Sequence, residues 1–239
     1  MNPKIFGWEQ WLYSAVVIVL TIIGIFLSKK YIKTEKSKIK LLKILALVLL
    51  ITILTNRISI CLKHDPVSFT YLIPDSFCGM SSLVLALAVL LGKKDNPVLH
   101  FVWFISLLGG LITFVYPDFI GQNPSIFYIP TISGLLHHSL SIVLNIFIFM
   151  YGYIKVTYKK WYCTLFGFTC YLTVGAFLVN VFGYDDAFHM KNPLLSGTPL
   201  TAWFLAPIYA VLYGIVLYVF YIIDKKKSNI QNKNTNNKI

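Results

Sequence analysis

Ile73-Pro74-Asp75-Ser76-Phe77-Cys78-Gly79 opens an apolar run that continues through Leu83-Val84-Leu85-Ala86-Leu87-Ala88-Val89-Leu90-Leu91, and the contrast between the two halves decides how the chain is read. The aliphatic half belongs in hydrocarbon. A proline, a carboxylate, a hydroxyl and a thiol near its start cost free energy there unless they are paired or face a polar cavity. The stretch reads as a membrane helix whose entrance carries the chemistry.

The rest of the chain repeats the apolar texture. Of 239 residues, 57% are hydrophobic and 13% charged, and the mean hydropathy is +0.71. A soluble domain of this length cannot bury that much apolar surface, so the chain reads as an all-α, polytopic integral membrane protein. A bilayer core needs about 20 apolar residues of helix. Seven windows meet that length, at roughly 10–28, 41–62, 70–92, 97–116, 126–154, 161–183 and 201–223. The run from Trp11 to Leu27 has no basic region before it and no small-x-small site after it, so it is expected to be a retained first helix rather than a signal peptide. The expected organisation is one seven-helix domain over 1–223 and a disordered basic tail over 224–239.

The net charge of +12 is explained by topology, not by nucleic acid. Sixteen basic residues lie in loops 29–40, 93–96 and 155–160 and in the tail, against Lys4, Arg57, Lys63 and Lys191 in the alternate loops. By the positive-inside rule the N-terminus is expected outside and the C-terminus in the cytoplasm. Twenty lysines against one arginine, with many Asn and Ile, suggest an AT-rich genome and a bacterial cell membrane. No internal repeat of the transporter kind is evident.

That topology puts the polar intramembrane residues in one leaflet, as if lining a cavity open to the outside and built by segments two to six, with segments one and seven as flanking helices. Cys78 lies about seven residues, or ~10 Å, into segment three. His137 and His138 lie at a similar depth in segment five, followed by Ser139, Ser141 and Asn145. A thiol becomes a good nucleophile when an imidazole takes its proton; the bland reading is a small buried residue. Successive helix positions point about 100° apart, so at most one of the two histidines faces a given partner well. Intramembrane histidines otherwise serve as interhelical contacts.

Arg57, the only arginine, supplies a bidentate donor for a phosphate or carboxylate, or a partner for Asp65 or Asp75; a snorkelling interfacial charge is the competing role. Asp75 after Pro74 suits a helix cap. Gly109-Gly110 is read as a close-packing site. The loop from Gly183 to Pro199 is long enough to form a lid. Its Asp185, Asp186 and His189 are cation-ligand types without a specific spacing, and a solvated loop is the commoner explanation. Cys61, Cys78, Cys163 and Cys170 form no CxxC and no zinc spacing. Neither a metal nor a cofactor is implied.

These residues resemble a known family. Pro74-x-x-x-Cys78 at a helix start, Gly109-Gly110 followed by Phe114-x-Tyr116-Pro117-Asp118, Leu135-Leu136-His137-His138, Asn180-x-x-Gly183-Tyr184 with Lys191-x-Pro193, and Trp203 after Gly197-Thr198-Pro199 resemble the YwaF-type bacterial integral membrane proteins over residues 70 to 220. That family is similar to a eukaryotic transmembrane acyltransferase that moves polyunsaturated acyl chains between glycerophospholipids and uses a cysteine and a histidine. The resemblance implies Cys78 as nucleophile and His138 or His137 as base, with His138 favoured because the family's proline seven positions on then aligns with Asn145. Beside that pair, Arg57, Asp75, Asn180 and Tyr116 are the candidate substrate contacts, with Arg57 near the headgroup phosphate and Asn180 as an oxyanion donor. The sequence departs from the bacterial pattern at Ser76-Phe77-Cys78-Gly79, which has neither a histidine before the cysteine nor an acid after it, and at Tyr184-Asp185, which replaces an Asn-Tyr pair.

The expected function is a lipid acyltransferase working through a Cys78 thioester, with a membrane lipid as substrate and the bilayer as partner. The alternatives are a non-enzymatic transporter or lipid-binding protein, and a lipid hydrolase using the same Cys/His pair.

Overall fold

The fold is described from a computed structural model, which covers the chain except residues 1–2, 64, 118, 121–123, 195–196 and 237–239; side chains are described up to residue 226. Seven α-helices follow one another: α1 (Trp8–Tyr31), α2 (Glu35–Lys63), α3 (Phe77–Leu90), α4 (Pro97–Val115), α5 (Ile129–Met150), α6 (Tyr162–Asn180) and α7 (Ala202–Asn236). Single 3₁₀ turns at Phe69–Leu72 and Tyr158–Lys160 precede α3 and α6. Six helices are long and apolar enough to cross a membrane. The described residues therefore form a multi-pass helical membrane protein.

The exception is α3, at 14 residues. The sequence reading makes 70–92 one span, but Pro74 cannot donate a helical hydrogen bond and disfavours helical backbone at Ile73. The chain runs through the 3₁₀ turn and starts its helix again at Phe77. Ser76 is the N-cap, its hydroxyl accepting the Gly79 N–H at 3.1 Å, so the capping role expected of Asp75 falls to its neighbour. At the other boundary, α7 continues as helix to Asn236, past the expected end at 223, in a segment without Pro or Gly to stop it.

α2, α3, α4 and α5 pack on one another, and α6 lies on α4. Leu42, Leu49, Leu85, Val102, Leu144 and Ile148 are fully buried there. The apolar window of α5 is 61% buried, against 11% for α1 and 17% for α7, which makes the first and last helices the flanking ones, as the sequence reading expects.

The lysine-rich end of the bundle is held by one carboxylate. Asp95, in the left-handed region at φ 57°, lies with Oδ2 2.6 Å from Lys160 Nζ, Oδ1 accepting the Lys155 N–H at 2.9 Å, and the same Oδ1 2.7 Å from His100 Nε2. One side chain thus ties the α3–α4 connection to the α5–α6 connection. Burial raises the Asp95 pKa, but the Lys160, Lys155 and His100 contacts outweigh it and lower the carboxyl from 3.8 to about 2. A depressed carboxylate contributes stability that is complete above its unfolded pKa and is lost as pH falls through the folded value. Acidification from pH 4 to pH 2 is therefore expected to cost about 1 kcal/mol at this site, after allowance for screening at a partly exposed group. Comparing the melting temperature of wild type and Asp95→Asn across that range in detergent checks this, because an amide in place of the carboxylate should remove this part of the pH dependence.

Candidate functional site

Three interhelical contacts bring the sequence-selected residues together. On α4, a Cβ added at Gly109 would fall 2.6 Å from Cys78 Sγ, and one added at Gly110 would fall 3.0 Å from the His138 carbonyl oxygen. The glycine pair therefore lets α4 touch Cys78 of α3 and His138 of α5 at the same level. One turn further along, Ser82 of α3 and Ser141 of α5 are joined hydroxyl to hydroxyl at 2.7 Å. Ser82 follows Cys78 by four residues and Ser141 follows His137 by four, the spacing of neighbours on one helical face. α3 and α5 run in the same sense, so Cys78 and His137 each lie one turn before the serine contact on their own helix.

The two histidines differ in what they bond to. His137 Nδ1 lies 3.1 Å from the Ser133 carbonyl oxygen, which can only accept, so Nδ1 carries the proton and Nε2 presents its lone pair. That Nε2 is buried and has no hydrogen-bond partner among the described residues. His138 is also buried, with its ring 4.0 Å from that of His137 and its other side toward Phe119. His137 and His138 flank Ser141 on the helix, four and three residues before it, so both lie toward the side of α5 that meets α3 at Ser82.

Cys78 is the second residue of α3, half-buried, and not part of a disulfide. It stands in the first turn of a capped helix, where the positive end of the dipole favours a thiolate. The shortened α3 therefore gives Cys78 a better electrostatic position than a site seven residues into a longer span. Ser81, one turn on, accepts a hydrogen bond from the buried Tyr171 hydroxyl of α6 at 3.1 Å.

Arg57 and Asp75 meet at 3.4 Å, with their side chains 14% and 36% exposed, so the guanidinium is the more enclosed partner. Arg57 comes from α2, beside Asn56, whose amide donates to the Pro130 carbonyl at 2.9 Å and to Ser133 Oγ at 3.2 Å. Asn56 and Ser133 therefore connect the arginine's helix to the turn that orients His137. Two expected substrate contacts are not brought here. Asn180 is exposed at the end of α6 and donates to the Ala176 carbonyl of its own helix at 2.7 Å, and Tyr116 is 49% exposed beside Phe6. Asp118 of the expected motif lies outside the described residues.

The loop after α6 is fixed over the start of α3. Phe188 is fully buried, its N–H donates to the Asp75 carbonyl at 2.6 Å, and its ring lies 5.2 Å from Phe77 and 5.4 Å from Tyr171. Asp186 spends its carboxylate on the N–H groups of Ala187, Lys191 and Asn192. Those bonds make it a loop organiser, and no His/Cys/Asp/Glu group suited to a metal is found among the described residues. Phe188→Ala is expected to cost about 3 kcal/mol, in the range for emptying a buried aromatic site, seen as a lower melting temperature and faster proteolysis after Gly183.

Sequence reasoning missed Ser81, Ser82, Tyr171 and Phe188. The two serines carried a signal, because they follow Cys78 at the three- and four-residue spacing of one helical face. Tyr171 and Phe188 reach α3 only through tertiary packing.

The family model described as the TMEM164 family matches residues 5–224, which includes every element of this site. The chain belongs to the TMEM164 family. This is a family of membrane proteins, in agreement with the six helices long and apolar enough to cross a membrane among the described residues. No curated protein and no solved structure matches the chain. The TMEM164 match runs from before α1 to within α7, so the flanking helices belong to the family unit along with the Cys78 region.

Proposed function

We propose that the protein is a membrane lipid acyltransferase of the Cys/His type, with Cys78 as nucleophile and His137 as base. The observation that supports this reading is the buried His137 Nε2 with no hydrogen-bond partner among the described residues, on the helix whose Ser141 contacts Ser82, one turn on from Cys78. The resemblance to YwaF-type proteins and their eukaryotic acyltransferase relative supports the same pair. The lysine distribution supports an N-terminus outside, with this site in the outer leaflet of a bacterial cell membrane.

In the proposed cycle His137 Nε2 takes the thiol proton and Cys78 Sγ attacks the ester carbonyl of a donor lipid. The C–O bond breaks, and the leaving alkoxide takes the proton from the imidazolium, leaving a thioester on Cys78. The acceptor hydroxyl then gives its proton to His137 and attacks the thioester carbonyl. The C–S bond breaks, and the thiolate recovers a proton from His137. Arg57, released from Asp75, binds the headgroup phosphate, for which its planar fork is suited.

The test is intact-mass analysis of purified protein treated with a lipid-like acyl probe that reacts with thiols. One adduct on Cys78, lost in Cys78→Ala and slowed by loss of His137, is the expected result. Equal, slow labelling of all four cysteines would overturn the enzyme in favour of a lipid-binding or transport protein. Free fatty acid without transfer product would mark a hydrolase.

A further inference from the structure

α1, with 11% of its apolar window buried, leaves a gap against α2 and α5. A cavity of about 450 Å³ lies between α1, α2 and α5, walled by residues that include Val17, Gly24, Tyr31, Leu136, Val143 and Phe147. From Val17 to Tyr31 it follows α1 for about 21 Å at 1.5 Å per residue. At ~30 Å³ per water-sized or methylene-sized group it holds about 15 such groups, the scale of one acyl chain.

The walls exclude a polar occupant over most of that length. Three of the hydroxyls that line the cavity are already spent, Thr21 on the Val17 carbonyl, Ser28 on the Ile25 carbonyl, and Ser139 on the Leu135 carbonyl. Apart from Tyr31 at one end, every remaining wall residue is aliphatic, aromatic hydrocarbon or glycine, and a dry apolar space binds apolar matter. The cavity is closed toward the Cys78 end, where Tyr13 OH meets Ser139 Oγ at 2.8 Å and the Gln10 amide donates to the Val115 carbonyl of α4 at 3.0 Å. At its other end the wall residues Ser28, Tyr31, Ile32 and Leu41 are interleaved in sequence with Lys29, Lys30, Lys33, Lys36, Lys38 and Lys40. The single acid of that connection, Glu35, is paired with Lys94 at 2.8 Å.

We infer that this gap holds one acyl chain of an anionic phospholipid, its phosphate among the lysines of the α1–α2 connection and its chain running up between α1 and α5. An anionic headgroup is selected because each lysine near a membrane surface adds favourable energy with such lipids, and the blind end fixes the chain's direction. This lipid stands with its headgroup at the opposite end of the bundle from Cys78, so it is a resident ligand rather than a substrate. It supplies the packing that α1 otherwise lacks.

The experiment uses the full chain in lipid nanodiscs with a phosphatidylglycerol probe carrying a mid-chain photoreactive diazirine, and maps the adducts by mass spectrometry. Wild type is expected to concentrate label on α1 and on residues 136–147 of α5, about fivefold or more above a phosphatidylcholine probe with the same chain. Thr21→Phe, which puts a ring into the gap on a helix exposed to lipid, is expected to lower that label by a similar factor while helix content and Cys78 labelling stay unchanged. Gly24→Leu is the second filling variant, since a Cβ there stands 3.8 Å from Phe147 with no nearer atom. Label spread evenly over α1 and α7, equal labelling by the two probes, or labelling unchanged in both filled variants would each overturn the inference.

Discussion

Cys78→Ala is expected to lower acyl transfer between phospholipids in reconstituted bilayers by about 10³-fold or more, the scale on which enzymes that act through a covalent intermediate lose rate when the nucleophile is deleted. The fold should survive. The side chain is small and only half-buried, and it lies at a helix start whose cap is supplied by Ser76. Cys78→Ser is the sharper variant. It keeps volume and hydrogen bonding, yet a hydroxyl in this position is far from ionising at neutral pH and should be nearly as inactive. Transfer is measured by mass spectrometry of isotope-labelled donor and acceptor lipids, alongside the melting temperature. Undiminished exchange by either variant with an unchanged melting temperature would remove the thioester from the mechanism and leave a polar cluster that only binds.

Much of this site is legible in the sequence. Cys78, Arg57 and the two histidines stand out because groups of their kind are costly in hydrocarbon. What the sequence leaves open is which face meets which. The period of α5 places His137, Ser141 and Asn145 in one row, but only the contacts show what that row meets, Ser82 of α3 at Ser141 and Ser106 of α4 at Asn145. The reach of α3 is overestimated for a local reason: hydropathy counts Thr70 to Ile73 as membrane, whereas Pro74 separates that turn from the helix. Asn180 and Tyr116 are misplaced for a global one. Both sit at helix ends whose direction of exit is set by loops, and a helix-terminal amide can satisfy itself on its own backbone, as Asn180 does.

The two ends of the bundle also divide the work in a way the charge count alone only outlines. At the lysine-rich end Asp95 fixes two connections to each other. At the other end the Arg57–Asp75 pair is long and partly exposed, which leaves the guanidinium able to exchange a carboxylate for a phosphate at modest cost. Phe188 reinforces this asymmetry by anchoring the α6–α7 loop to the backbone of Asp75 itself. The Arg57 ion pair and the loop position are thus linked through one residue, Asp75.

The histidines provide the second large effect. His137→Ala is expected to reduce transfer by about 10²- to 10⁴-fold, the span typical of deleting a general acid–base group, whereas His138→Ala should cost less than about 10-fold by the same standard. The difference follows from bonding, since His137 donates through Nδ1 to the Ser133 carbonyl and keeps a buried, unengaged Nε2, while His138 packs toward Phe119. Folding controls are needed because both rings are buried and stacked against one another. His137→Gln retains much of the volume and cannot cycle a proton, so it should match His137→Ala in rate while melting closer to wild type. Ser141→Ala offers an independent check of the register. It removes the contact between α3 and α5 without touching thiol or imidazole, and should lower turnover through misalignment of Cys78 while the rate of thiol alkylation by a small soluble reagent stays near wild type. If His138→Ala proved the more damaging substitution and His137→Gln were active, the base would be His138 and the pairing inferred from the serines would be wrong, even with Cys78 still the nucleophile.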